Sequence, residues 1–129
     1  MKLEAEKEGI DLGPLEEFEE GGRRIVQHGR ISIGVFRVRD TFYAVRNYCP
    51  HEGAELCRGP LTGTNLPVDR GGELEWGAEG FVLRCPWHAW EFDIRTGHSF
   101  TATKMRVKTY RVEVVDARVI LYLETKSCA

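Results

Sequence analysis

The sequence predicts a mainly antiparallel all-β protein, a small sandwich or barrel of about nine short strands. Three observations predict it. From Arg23 onward, apolar and polar residues alternate with a period near two. Turn-forming residues break that alternation at short intervals, as hairpins require. No convincing helical period stands out downstream of residue 22. A chain of 129 residues is expected to make one domain, with a real but small core.

Residues 1–22 are acidic and carry five breakers, Gly9, Gly13, Pro14, Gly21 and Gly22. Leu12, Leu15 and Phe18 have rough helical spacing. The segment reads as a solvated acidic N-terminal arm with one turn of helix, or as an acidic docking or oligomer contact. Arg23–His28, Ser32–Arg39 and Phe42–Arg46 read as strands, with Asp40-Thr41 at the turn between the last two. Around Ile33, Val35, Phe36 and Val38 the alternation is not clean and assigns no face. The next stretch, 47–60, is a loop in which Pro50 fixes φ, Gly53 allows a tight turn and Leu56 plugs the core. Cys57 reads as a small free hydrophobe. Residues 61–80 are Gly-rich and polar with few strand signals and read as an insertion. Its large aromatic, Trp76, is either a partner contact or the insertion's anchor. Phe81–Arg84 is a short strand leading into a second loop, 84–98, and Trp90, Phe92 and Ile94 alternate out of it. Gly97 closes a turn. Tyr110–Val115 and Val119–Leu123 form a last hairpin around Asp116-Ala117-Arg118, followed by a tail, 125–129.

The formal net charge of −2 argues against nucleic acid, whose partners are strongly basic. The charge is uneven: residues 1–20 carry a net of −6 and residues 21–129 a net of +4. No apolar run approaches membrane-spanning length, and no hydrophobic secretory segment opens the chain, so the expected compartment is the cytoplasm. Cysteine usage agrees, since Cys57 and Cys128 are expected to be free thiols in a reducing compartment.

Two short stretches carry chemistry: Cys49-Pro50-His51 and Cys85-Pro86-Trp87-His88. Each offers one thiolate and one imidazole. A single zinc could take the four donors tetrahedrally. A two-iron cluster could take them with both cysteines on one iron and both histidines on the other. Zinc sites usually pair like ligands two to four residues apart, whereas these halves are C-x-H and C-x2-H, each mixed. A mixed half suits a binuclear site, because each loop then reaches both irons. His28 and His98 read as surface residues.

The flanking residues extend both motifs. Cys49–Leu56 reads CPHEGAEL, and Cys85–Asp93 reads CPWHAWEFD with IRTG behind it. Over roughly residues 22–124 the chain resembles the Rieske iron–sulfur family, in its ferredoxin-like and oxygenase-type branch. The resemblance implies a base of antiparallel strands carrying a small two-loop subdomain over 23–124. It implies one [2Fe-2S] cluster held by Cys49, His51, Cys85 and His88, with the two imidazole edges as the electron exit. Respiratory relatives place a disulfide where this chain has Ala54 and Trp87, and hydroxyl donors where it has Trp90 and Phe92. Their absence implies the low end of the potential range, about −150 mV rather than about +300 mV.

The function implied is one-electron transfer, from a flavin-dependent reductase to a terminal oxygenase or other redox enzyme. No catalytic residue is assigned: an oxygenase subunit needs a further mononuclear iron with two histidines and a carboxylate, and only His28 and His98 remain. The alternatives are a tightly bound small subunit of a larger oxidoreductase and, from another class, a redox sensor or zinc-stabilised interaction module.

Overall fold

The structure, a computed structural model, describes residues 7–50, 53–67, 74–86, 90–100 and 104–124. It contains β1 (Lys7–Pro14), β2 (Arg23–His28), β3 (Ile31–Val38), β4 (Thr41–Arg46), β5 (Leu61–Pro67), β6 (Leu74–Arg84), β7 (Glu91–Asp93), β8 (Thr109–Val115) and β9 (Arg118–Glu124). One antiparallel sheet has the order β1-β9-β8-β4-β3-β2, and a smaller one has the order β5-β6-β7. The expected antiparallel β class holds. Among the described residues the helical elements are two short 3-10 turns, Leu15–Glu17 and Leu56–Arg58. No described helix is long and apolar enough to cross a membrane.

The blurred alternation of β3 has a physical cause. This strand is buried on both faces, because the large sheet lies between two apolar clusters. Ile33 and Val35 face one cluster with Phe42, Ala44 and Leu121. Phe36 and Val38 face the other, with Val45, Leu56 and Phe92. A strand covered on both sides needs no polar face, so its sequence carries little period-two signal. The second cluster is also where both motif cysteines reside.

Two expectations are corrected. Residues 7–22 are not a solvated arm, although the expected helical turn is present as the 3-10 turn Leu15–Glu17. β1 pairs with β9 in register Gly9↔Tyr122 and Ile10↔Leu121, and Phe18 is only 4% exposed. Burying Leu12 and Phe18 contributes about 1.5–3 kcal/mol each, which outweighs the weak repulsion among exposed carboxylates. Those carboxylates also meet arginines from the rest of the sheet. Arg118 Nε lies 2.8 Å from Asp11, and Arg24 Nη2 lies 3.7 Å from Glu17. The Arg24 guanidinium sits over the Phe18 ring at 4.3 Å, and Arg37 Nη1 donates to the Phe18 carbonyl at 2.6 Å.

The second correction concerns residues 61–80. Their described part is a β-hairpin, β5 with the first half of β6, paired from Leu61↔Leu83 out to Pro67↔Leu74. Trp76 is 54% exposed, yet its Nε1 donates to Glu79 Oε1 at 2.5 Å. A Cβ on Gly63 would come within 2.8 Å of that indole nitrogen. The glycine thus lets the indole lie against the partner strand, a role that gives no apolar signal in the sequence.

The β3–β4 turn falls one residue before its expected place, and the last turn falls where it was expected. Val38 pairs with Thr41, so Arg39-Asp40 makes the β3–β4 turn, and Asp116-Ala117 makes the β8–β9 turn. Asp116 and Ala117 have φ of 52° and 64°, the pair of left-handed residues that a type I′ turn demands.

Candidate metal centre

Both motif cysteines are held in similar loops. The Cys49 N–H donates to the carbonyl of Ala54 at 2.9 Å, and the Cys85 N–H donates to the carbonyl of Trp90 at 2.7 Å. Each bond spans five residues and pinches a short loop shut behind its cysteine. His51 falls inside the first of these loops and His88 inside the second. Both histidines, with Trp87, lie outside the described residues. Cys49 is 0% and Cys85 2% exposed, neither is in a disulfide, and they belong to the same buried cluster. Among the described residues no group of three or more His, Cys, Asp or Glu side chains could hold a metal ion.

The surrounding chain fixes the two loops to each other. Arg84, the residue before Cys85, donates its N–H to the carbonyl of Pro60 at 3.0 Å. Arg23 reaches across from β2, its Nη1 donating to the carbonyls of Cys57, at 2.7 Å, and Gly59. Asn47 is 8% exposed; its Oδ1 accepts from the Cys57 N–H at 2.7 Å and its Nδ2 donates to Ser32 Oγ at 3.1 Å. Beneath the second loop, Arg84 Nη2 pairs with Glu91 Oε2 at 2.9 Å, and Thr64 Oγ1 donates to Glu91 Oε1 at 2.5 Å. That network ties β5, β6 and β7 together directly under Cys85. The motif reading missed Arg23, Asn47, Thr64 and Gly59, because each acts on residues distant in the chain.

Cys57 is a different kind of thiol. It is fully buried, its Sγ donates to the Val45 carbonyl at 3.6 Å, and it packs under Gly34, where a Cβ would come within 2.4 Å of the sulfur. Burial pushes its thiol up to about 12, against roughly 8.5 for a free cysteine. Below the lower value both folded and unfolded chains keep the proton, and stability is undiminished. As pH rises from there towards 12, the unfolded chain ionises first and stability falls by at most about 1.4 kcal/mol per pH unit. Urea unfolding between pH 8.5 and 10.5 is expected to show this slope, and Cys57→Ala to lose it; equal slopes would show that Cys57 is accessible to solvent. Of the remaining histidines, His28 and His98 are both exposed, as expected of surface residues.

The donor set fits a two-iron cluster with mixed ligation. Two soft thiols are buried together where water is excluded, and each pinched loop adds one imidazole from its sequence. The positions that carry a cysteine or a hydroxyl in respiratory relatives are apolar where described: Ala54 is 1% and Phe92 0% exposed, and Trp90 packs against the same cluster.

Comparison with known proteins agrees. The family model for the Rieske [2Fe-2S] domain matches residues 9–111, so the chain belongs to the Rieske [2Fe-2S] domain family. Ferredoxin CarAc of Metapseudomonas resinovorans is 29% identical over 105 residues, which are 81% of this chain and 82% of that protein. The anthranilate 1,2-dioxygenase ferredoxin subunit of Burkholderia cepacia is 29% identical over 109 residues, 84% of this chain and 85% of its own. Among solved structures, a chain in the complex of reduced oxygenase and oxidized ferredoxin of carbazole 1,9a-dioxygenase superposes with a TM-score of 0.70. It is 26% identical, and the match covers 92% of this chain and 95% of that one. The family match begins at residue 9, inside β1, which is consistent with the packing of the N-terminal segment onto the sheet.

Proposed function

We propose that this protein is the ferredoxin component of an oxygenase system, taking one electron at a time from a flavin-dependent reductase and delivering it to a terminal oxygenase or similar redox enzyme. The observation that carries the reading is the pair of buried cysteines, Cys49 and Cys85, in two loops closed by the same five-residue hydrogen bond. Cys49, Cys85, His51 and His88 would hold the cluster, the thiolates and the imidazoles each supplying half of its ligands. When bound, the cluster supplies a site that accepts and releases a single electron.

The chain's own residues set the conditions for that exchange. The apolar cluster around Cys49 and Cys85 keeps water from the sulfur side. Arg23, Asn47 and the Arg84–Glu91 pair hold the two loops in register, so little rearranges when the charge changes. With Ala54 and Phe92 unable to donate a hydrogen bond from their side chains, the reduced state gains no extra stabilisation there. The potential therefore lies at the low end of the family range, around −150 mV. The resemblance to the family implies that the electron would leave by way of His51 and His88. The absence of disulfides among the described cysteines supports a cytoplasmic location.

The test is spectroscopic. Reduction with dithionite is expected to produce a rhombic EPR signal that is absent before reduction, with nitrogen hyperfine coupling from two imidazoles in pulsed measurements. A colourless protein with stoichiometric zinc would sink the electron-carrier reading and favour a zinc-stabilised interaction module.

A further inference from the structure

The segment 104–108, which packs against the buried cluster containing Cys49 and Cys85, has two unlike faces. From residue 104 to residue 108 the side chains alternate. Met105 and Val107 turn inward and join the buried cluster that contains Cys49 and Cys85. Lys104, Arg106 and Lys108 turn outward and are exposed. The segment is clamped on both sides. The Val107 N–H donates to the Gly97 carbonyl at 2.8 Å and the Ser99 N–H to the Met105 carbonyl at 3.1 Å, so it lies along the chain leaving the second loop. On the other side, the Arg46 N–H donates to the Lys108 carbonyl at 2.9 Å. Arg46 is also exposed, three residues before Cys49. These bonds set four cations in one ridge that touches the start of the first loop and the end of the second.

The ridge concentrates cations without carboxylate partners, which elsewhere among the described residues occur singly at Arg23, Arg30 and Arg39. Elsewhere Arg24, Arg37, Arg58, Arg84, Arg95, Arg111 and Arg118 each face a carboxylate. Among the described residues no carboxylate pairs with Arg46, Lys104, Arg106 or Lys108. Two of these cations instead rest on aromatic rings: Arg46 lies 5.9 Å from the Tyr48 ring centroid and Lys108 Nζ lies 5.3 Å from that of Tyr110. Tyr48 is itself 53% exposed. The protein nevertheless carries a net charge of −2, and several of its N-terminal carboxylates are committed away from the ridge: Asp11 to Arg118, Glu17 to Arg24 and Glu20 to the Arg39 N–H. The charge is therefore segregated.

We propose that the Arg46–Lys104–Arg106–Lys108 ridge, with Tyr48 beside it, is the docking face for an acidic surface on the protein's electron-transfer partner. This rests on the electron-carrier reading and adds the chemistry of the partner. The ridge adjoins the start of the first cysteine loop and the end of the second, so a carboxylate-rich face seated on it would be brought beside the loops proposed to hold the cluster. At an ionic strength of 0.1 M the Debye length is about 10 Å. A partner close to the ridge feels those four cations far more than the molecule's net charge, and association is steered accordingly.

The experiment uses the full-length protein carrying its cluster, reduced with dithionite and mixed by stopped flow with either of two haem acceptors. One is the acidic haem domain of cytochrome b5; the other is basic cytochrome c. With cytochrome b5 the second-order rate is expected to fall as salt rises, although both proteins are net anionic. The triple variant Lys104→Gln, Arg106→Gln, Lys108→Gln is expected to lose about tenfold in that rate at low salt and most of its salt dependence, while its visible spectrum is unchanged. With cytochrome c its rate is expected to hold or rise. A rate with cytochrome b5 that rises with salt in the unsubstituted protein would overturn the proposal. So would a triple variant with an intact spectrum and an unchanged rate. An unsubstituted protein that forms no cluster would instead remove the electron-carrier reading, and this one with it.

Discussion

Cys85→Ser is expected to abolish the visible spectrum and to bring iron content to near zero. Cys85 is 2% exposed and shares its buried cluster with Cys49. A serine oxygen there is a hard, protonated donor, a poor substitute for a soft thiolate on a sulfide-bridged iron. Cluster binding is also folding energy, because the donors converge only in the folded chain. The variant is therefore expected to unfold at lower denaturant concentration than the parent with its cluster, with the largest shift where the loops 47–60 and 84–98 meet. Cys57→Ser is the control. That thiol belongs to the same cluster but packs under Gly34 and donates to the Val45 carbonyl. Its variant is expected to keep full iron and full colour while losing some stability. Iron quantification beside the absorption spectrum decides the matter. If Cys85→Ser kept its iron, the ligand set proposed for the site would be wrong; if Cys57→Ser lost it, the buried thiol beneath the first loop would have been misassigned.

Much of this site was legible because its donors sit in short local patterns. Cys49 and His51 form one short pattern and Cys85 and His88 another, and in the structure the two cysteines belong to one buried cluster. Strands β2, β4, β8 and β9 were legible for a related reason: each has one clear alternation along its length. What could not be read depends on distant partners. β1 lies in a strongly acidic N-terminal stretch, and the docking of that stretch turns on Leu12, Phe18 and arginines supplied by β2, β3 and β9. The β5–β6 hairpin is built from glycines and polar residues, and its order comes from main-chain pairing and an indole laid against Gly63. Nor does any local pattern mark Arg23, whose side chain crosses to carbonyls 34 and 36 residues away.

Gly59 is the sharpest case of such a distant constraint, and Gly59→Ala is expected to destabilise the fold by about 3 kcal/mol or more. The residue's φ is −80°, an ordinary value, so left-handed geometry is not the reason for glycine. The reason is proximity. A Cβ at this position would lie 1.7 Å from the carbonyl oxygen of Arg84 and 3.2 Å from Pro86 Cδ, on either side of Cys85. The obstructing atoms are main chain, already committed by the Arg84 N–H bond to the Pro60 carbonyl and by β6 pairing, so they cannot swing aside as a flexible side chain would. Inserting a methyl group must push the end of the first loop from the start of the second, and that separation falls on the cysteines the cluster has to bridge. For a domain of this size the cost corresponds to a fall in melting temperature of roughly 10 °C or more, together with incomplete cluster loading. Gly29→Ala gives the comparison. Gly29 has a φ of 63° but open space around its Cβ, so its substitution costs only the left-handed strain of about 1–2 kcal/mol and leaves iron content alone. Thermal unfolding and iron content measured on both variants separate the two causes. Equal stability and equal loading would show that the loops can part without harm, and that their close approach at Gly59 is not what holds the centre together.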